Sequence, residues 1–204
     1  MLRTCQKACS LLMFLRRLNL EDPRDREIAQ ELFLAAPEYE VDAFGRLPSN
    51  DMAQPLEGRF PSACAPEHRL TFAAFDHDRP LGLAQVALHM PSADAAALLL
   101  LLVPAPLRKQ HVGCEIVERL SRQARRWPGI SQWYLSVTDT NTGGLAFWRH
   151  CGFRTTATGL TAAGFTHTMH AMTRAVKQRP LCQRHGVPED DAGVDARNLF
   201  ARLR

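Results

Sequence analysis

The chain has 204 residues, 46% of them hydrophobic and 23% charged, which suits one ordinary folded domain with a real core and excludes a disordered or low-complexity chain. Its formal charge of +4 suits an anionic small ligand. The arginines form no block and are not interleaved with aromatics, and Glu189, Asp190, Asp191 and Asp195 dilute the basic C-terminal segment, so a nucleic-acid-binding stripe is excluded.

Residues 1–13 read as an N-terminal extension, and residues 1–12 are expected to be dispensable. "MLRTCQKACSLLMFLRR" only faintly imitates a signal peptide, because its apolar stretch is short and no small-residue cleavage site follows. Met13 is a second candidate for the translation start. The domain proper is expected over 14–173. "FLRRLNL" (14–20) alternates like a strand. "EDPRDREIAQELFLAA" reads as a helix, with Asp22 as its N-cap, Pro23 at the first helical position and Ile28, Leu32 and Phe33 on one face. "PEYEVDAFGRLPSN" reads as a loop. Ser49 or Asn50 then caps a second short helix that Pro55 limits.

"LTFAAFD" (70–76) and "LGLAQVALHM" (81–90) form a hairpin across "HDRP". "AAALLLLLV" (95–103) fits a strand buried on both faces, with a buried helix as the alternative that Pro104 and Pro106 cut short. "HVGCEIVERLSRQARRW" places Val112, Ile116, Leu120 and Ala124 on one stripe of an amphipathic helix. "SQWYLSVTD" (131–139) is a strand, and "NTGGLAFWRHCGF" a short helix closed at Gly152. "FRTTAT" and "FTHTMHAMTR" alternate as two final strands. Residues 174–204 read as a C-terminal extension, with a short helix in "VDARNLFARLR". The order β-α-α-β-β-β-α-β-α-β-β predicts an α/β (α+β) fold: a mixed, mostly antiparallel twisted sheet of about seven strands flanked by helices.

No stretch of about 18 apolar residues is present, so no membrane span is expected. The six cysteines (5, 9, 64, 114, 151 and 182) show neither a CxxC pair nor finger spacing. That predicts free thiols, no metal site and a cytoplasmic setting. His167 and His170 lie three apart on a strand and so face opposite ways, and Cys151 and His150 are adjacent on a helix, where side chains diverge.

"RKQHVG" (108–113) joins a strand to a helix start. The first backbone N–H groups of that helix lack internal partners and carry partial positive charge, which suits a diphosphate. Arg108 and Lys109 add mobile charge, and Gly113 allows close approach. One glycine and two bases before a helix also fit an ordinary turn. With "NTGGLAFWRHCGF" at this distance, the pattern resembles the GCN5-related N-acetyltransferase (GNAT) family. Arg108 and Gly113 match the ends of that family's loop, while His111 replaces its first glycine. Asn141, Ala146, Phe147, Trp148, Gly152 and Phe153 match its second segment. The strand order agrees as well, and the resemblance covers about residues 14–173.

The resemblance implies acetyl-CoA, or another acyl-CoA, as cosubstrate, and an amine as acceptor. It implies a central strand that splays from its neighbour, whose Leu101, Leu102 and Val103 bond the pantetheine arm. The backbone of Arg108, Lys109, Gln110, His111, Val112, Gly113 and Cys114 would hold the pyrophosphate, Asn141 would touch the cofactor, and Trp148 would flank the thioester. Many relatives place a tyrosine acid near Trp148; tryptophan has no titratable proton there, so it serves as a wall. The carboxylate-poor strand leaves Glu40 and His89 as candidate bases, with Glu38 beside them. A catalytically degenerate acyl-CoA-binding regulatory module is the alternative to an N-acyltransferase. Homodimerisation is left open. His111 implies either a shifted cofactor or an imidazole near the phosphates; in the second case CoA binding strengthens as pH falls.

Overall fold

The computed structural model of the chain describes residues 13–45, 47–161 and 167–177. Residues 1–12 and the helix expected within 194–204 lie outside them, as do Cys5, Cys9 and Cys182. Seven strands form one sheet: β1 (Met13–Arg17), β2 (Arg69–Asp76), β3 (Arg79–Leu88), β4 (Ala95–Leu102), β5 (Gln132–Thr138), β6 (Arg154–Leu160) and β7 (Met169–Ala175). Their spatial order is β1-β2-β3-β4-β5-β7-β6. Every neighbouring pair is antiparallel except β4 and β5.

Among the described residues five α-helices flank the sheet: α1 (Pro23–Leu34), α2 (Glu38–Phe44), α3 (Ala53–Glu57), α4 (Val112–Ala124) and α5 (Thr142–His150). The Asp22 side chain accepts a hydrogen bond from Arg24 N at 2.8 Å and caps α1, with Pro23 at its first position. In α4 the stripe Val112, Ile116, Leu120 and Ala124 is buried, as its helical spacing predicts, together with Val117. It packs on one sheet face with Phe72, Val86, Leu98 and Leu135. Leu32 and Phe33 of α1, with Leu56 of α3, cover the other face against Leu83, Leu100 and Leu102.

The expected loop after the first helix is corrected in part: Glu38–Phe44 forms α2, closed by Gly45 at φ +67°. A left-handed residue at C′ is a common way to stop a helix, and glycine takes it at no steric cost. The expected boundary at 174 also moves. Arg174 is buried in β7, and Val176 is buried with its N–H on Ser131 O at 2.8 Å, so the fold runs through these residues.

Two features of the middle of the sheet shape the site. First, β4 pairs with β5 only from Ala95 to Ala97, opposite Gln132 to Tyr134. The closed end is held by Asp94. Its carbonyl accepts from Ser131 N (2.8 Å) and Gln132 N, and its carboxylate accepts from Ser92 Oγ (2.7 Å) and Ser131 Oγ (2.8 Å). Second, the pairing of β3 with β4 steps from Val86–Leu98 to Gln85–Leu100, which leaves Leu99 as a bulge. Leu98 packs with the α4 side of the sheet, whereas Leu100 and Leu102 pack with α1 and α3. The extra residue inverts the alternation of the leucine run.

Candidate active site between the splayed strands

Beyond Ala97 and Tyr134 the two strands part, and a cleft of about 480 Å³ opens between them. Its walls are Leu98–Val103 on one side and Leu135–Thr138 on the other. The far edge of each strand is already used, β4 by β3 and β5 by β7. The edges that face the cleft therefore present backbone donors and acceptors without a strand partner. Buried backbone groups of this kind need partners, and an extended ligand with its own amides can supply them as an added strand. Leu101, Leu102 and Val103 all line the cleft.

The mouth of the cleft is the loop before α4. A 3-10 turn at Ala105–Leu107 leads into Arg108, and the chain then takes left-handed conformations at Lys109 (φ +59°) and His111 (φ +63°). Such angles cost an L-residue roughly 1–2 kcal/mol, which explains why a glycine suits position 111. His111 takes the angle and stays exposed, as the backbone N-cap residue of α4, without a side-chain capping bond. Arg108, Lys109 and Gly113 line the cleft. The Gln110 amide turns away to Pro106 O at 2.6 Å, Val112 enters the core, and Cys114 is half-buried behind the first turn. A helix start of this kind offers backbone N–H groups, rather than these side chains, as possible anion donors.

On the other side, Asn141 caps α5: its side-chain oxygen accepts from Gly144 N at 2.7 Å. A Cβ at Gly144 would stand 2.7 Å from Asn141 Nδ2, so the glycine is what admits this cap. Asn141 still lines the cleft, as do Phe147 and Trp148. Trp148 is wedged edge-on between Phe147 (4.8 Å between ring centroids) and Phe153 (5.2 Å). That packing fits a rigid wall.

The candidate bases fall in three different places. Glu38 lines the cleft and pairs with Arg108, which also donates to Val103 O at 2.9 Å. Glu40, next on the same helix but one, is 1% exposed and pairs with Arg59, whose guanidinium lies over Phe33 and Tyr39. It is outside the cleft lining and ties α2 to the segment after α3. His89 is also outside it. It follows β3 at the closed end of the splay, with Nδ1 2.6 Å from Ala93 O and its ring against His68. Neither Glu40 nor His89 lines the cleft.

Reading the sequence missed Tyr39, which lines the cleft beside Glu38. Burial pushes its phenol above the usual range, against the opposing pull of Arg59. Its only sequence signal is adjacency to Glu38. Tyr134, the other tyrosine, is buried with its hydroxyl unpartnered, and burial raises its pKa as well. The bulged Leu99, and Ser136 and Met169, were also unmarked as lining residues.

The sequence around this site matches a known family. Residues 27–153 match the model of the acetyltransferase (GNAT) family. Among solved structures, the chain resembles an acetyltransferase from Thermus thermophilus at 23% identity and a TM-score of 0.63, covering 80% of this chain and 96% of that one. It also resembles a ribosomal-protein alanine N-acetyltransferase from Escherichia coli, at 16% identity and a TM-score of 0.56, over 82% and 96% of the two chains. An aminoglycoside acetyltransferase in complex with coenzyme A is similar at 18% identity and a TM-score of 0.61, over 80% and 94%. No curated protein matches the sequence. The chain belongs to the GNAT acetyltransferase family. It is an acetyl-CoA-dependent N-acetyltransferase, which moves the acetyl group to an amine.

Proposed function

We propose that acetyl-CoA lies in the splay with its pantetheine arm along Leu98–Leu102 and its diphosphate on the backbone of residues 109–114. The observation that carries this reading is the unpaired β4 edge, because pantetheine is an extended chain with two amides. The loop and the first turn of α4 supply N–H groups and partial positive charge for the diphosphate, with Arg108 and Lys109 beside them. Asn141 keeps its amide nitrogen free of the capping bond for a cofactor contact, and Trp148 walls the thioester.

The chemistry follows from that placement. A neutral amine attacks the thioester carbonyl, a backbone N–H of the bulged β4 receives the developing oxyanion, and the C–S bond breaks to release the CoA thiolate. Glu38 accepts the amine's proton, directly or through water, because it is the carboxylate that lines the cleft among the described residues. The Tyr39 phenol, held protonated by burial, donates a proton to the thiolate. The sequence-derived role of Glu40 becomes a supporting one, through Arg59 and Tyr39.

The acceptor is an amine with one positive charge on an apolar body. Tyr39, Leu99, Leu101 and Met169 line the same cleft as Glu38, which is its one carboxylate among the described residues, so a polycation would leave charges unmatched. The free thiols Cys64, Cys114 and Cys151 support a reducing, cytoplasmic setting.

A thiol-release assay with acetyl-CoA and a panel of amines tests this. Turnover should favour apolar monoamines, and Glu38→Gln should lower kcat/KM for the amine. A preference for polycationic amines, or an unchanged kcat/KM in Glu38→Gln, would overturn the assignment.

A further inference from the structure

Behind the cofactor loop lies a pair of thiols for which acetyl transfer has no use. Cys114 sits in the first turn of α4, and Cys151 is the C-cap residue of α5. The Cys151 thiol hydrogen-bonds the Cys114 sulfur, so the two sulfurs are in contact although they are 37 residues apart in the chain. Both pack on the same core cluster. Cys151 is held firmly: its N–H donates to Phe147 O at 2.9 Å, and its carbonyl accepts from Arg174 Nη1 at 2.7 Å.

The two cysteines differ in a way that suits a reactive pair. The hydrogen bond from Cys151 is the main cause that brings the Cys114 thiol down to about 6, with His150 and His111 nearby adding to it against the opposing effect of burial. Cys114 is half-buried, which leaves a small oxidant a route in, while Cys151 is only 8% exposed. Cys64 is the contrast within the same chain: burial raises its thiol pKa, which disfavours the thiolate.

We propose that Cys114 and Cys151 form a hydroperoxide-reactive dithiol whose oxidation to a disulfide disables the cofactor cradle. The Cys114 thiolate attacks one oxygen of the peroxide; an S–O bond forms, the O–O bond breaks, and hydroxide leaves. The Cys151 sulfur then attacks the sulfenic sulfur. The S–S bond forms, the S–O bond breaks, and the departing hydroxide takes the Cys151 proton as water. Two electrons pass from the two sulfurs to the peroxide. The new bond draws the sulfurs from hydrogen-bond distance to covalent distance. It thereby pulls the first turn of α4 towards α5, across the contact where Gly113 already meets Phe147 closely.

The functional consequence rests on the cofactor placement proposed above, and the two can be tested separately. The full chain, first reduced, is titrated with CoA by calorimetry, which tests the placement alone. It is then treated with hydrogen peroxide, mapped by peptide mass spectrometry and titrated again, before and after dithiothreitol. The expected results are a Cys114–Cys151 disulfide, a loss of CoA affinity of about tenfold or more, and recovery on reduction. Cys151→Ala should bind CoA like the reduced parent before oxidation, and after peroxide it should hold a dimedone-reactive sulfenic acid at Cys114. Failure to form that disulfide, faster oxidation of Cys64 than of Cys114, or a disulfide that leaves CoA affinity unchanged would each overturn the proposal.

Discussion

Gly113 meets Phe147 where a side chain would crowd: a Cβ at Gly113 would lie 3.1 Å from Cε2 and Cζ of that ring. The missing side chain therefore faces α5. The glycine brings the two segments of the family pattern together, and the proposed diphosphate position and Trp148 wall both rest on that contact.

For this reason Gly113→Ala should be harmful without any added charge. Crowding of this kind costs typically about 1–3 kcal/mol, here divided between stability and loop position. Thermal unfolding and CoA calorimetry should both show the loss. Adding Phe147→Leu should restore part of it. If Gly113→Ala is neutral and Gly113→Asp is not, charge beside the phosphates is the cause instead.

His111→Gly should leave CoA affinity unchanged. It removes left-handed strain of roughly 1–2 kcal/mol and adds freedom to the unfolded chain worth about 0.4–1 kcal/mol. The net effect should be a small rise in Tm. A marked fall in CoA affinity would show that the imidazole itself takes part in holding the anion, and the affinity should then also fall in the parent protein as pH rises.

Glu38 and Arg108 are paired at the point where a diphosphate would compete for the arginine. Glu38→Gln should therefore tighten CoA binding by a few-fold while it weakens turnover of the amine. Both groups are well exposed, so salt should narrow the difference. Calorimetry at low and high ionic strength checks this.

Asp94 gives the protein an acid-sensitive joint. Hydrogen bonds from Ser92 and Ser131 hold its carboxyl below the usual carboxylate range. A depressed pKa means that the stabilisation is present above the unfolded value, near 3.9, and is lost as pH falls through the folded value. Asp94→Asn should lower Tm near neutrality and reduce its fall between weakly and strongly acidic buffer. Equal slopes in the two proteins would show that Asp94 does not hold the closed end of the splay.

Much of this protein could be read from one dimension. Binary patterning, Asp22 and Pro23 at one helix start, and the Val112–Ala124 stripe are local signals. They fix element type because a helix and a strand bury different periods. The two motif segments carried the family and the cofactor in the same way, since backbone anion sites need only a loop, a glycine and a helix start. The leucine run was readable as a strand but not as a bulged one. Five identical side chains carry no register, and only pairing with Gln85 and Val86 shows that Leu99 is the extra residue.

The candidate base was the least readable part. Glu38 and Glu40 are near-identical in sequence context, yet their two-residue spacing, just over half a turn of α2, sends the first to the cleft and Arg108, and the second inward to Arg59. His89 follows the strand that precedes the leucine run, and antiparallel pairing puts it at the closed end of the splay. The contact between Cys114 and Cys151 likewise exists only because α4 and α5 meet at Gly113. The sequence by itself determined the elements, the family and the cofactor, because these rest on local periodicity and backbone chemistry. Tertiary structure alone decided which side chains share the cleft, because that depends on register, a bulge and the facing of short helices.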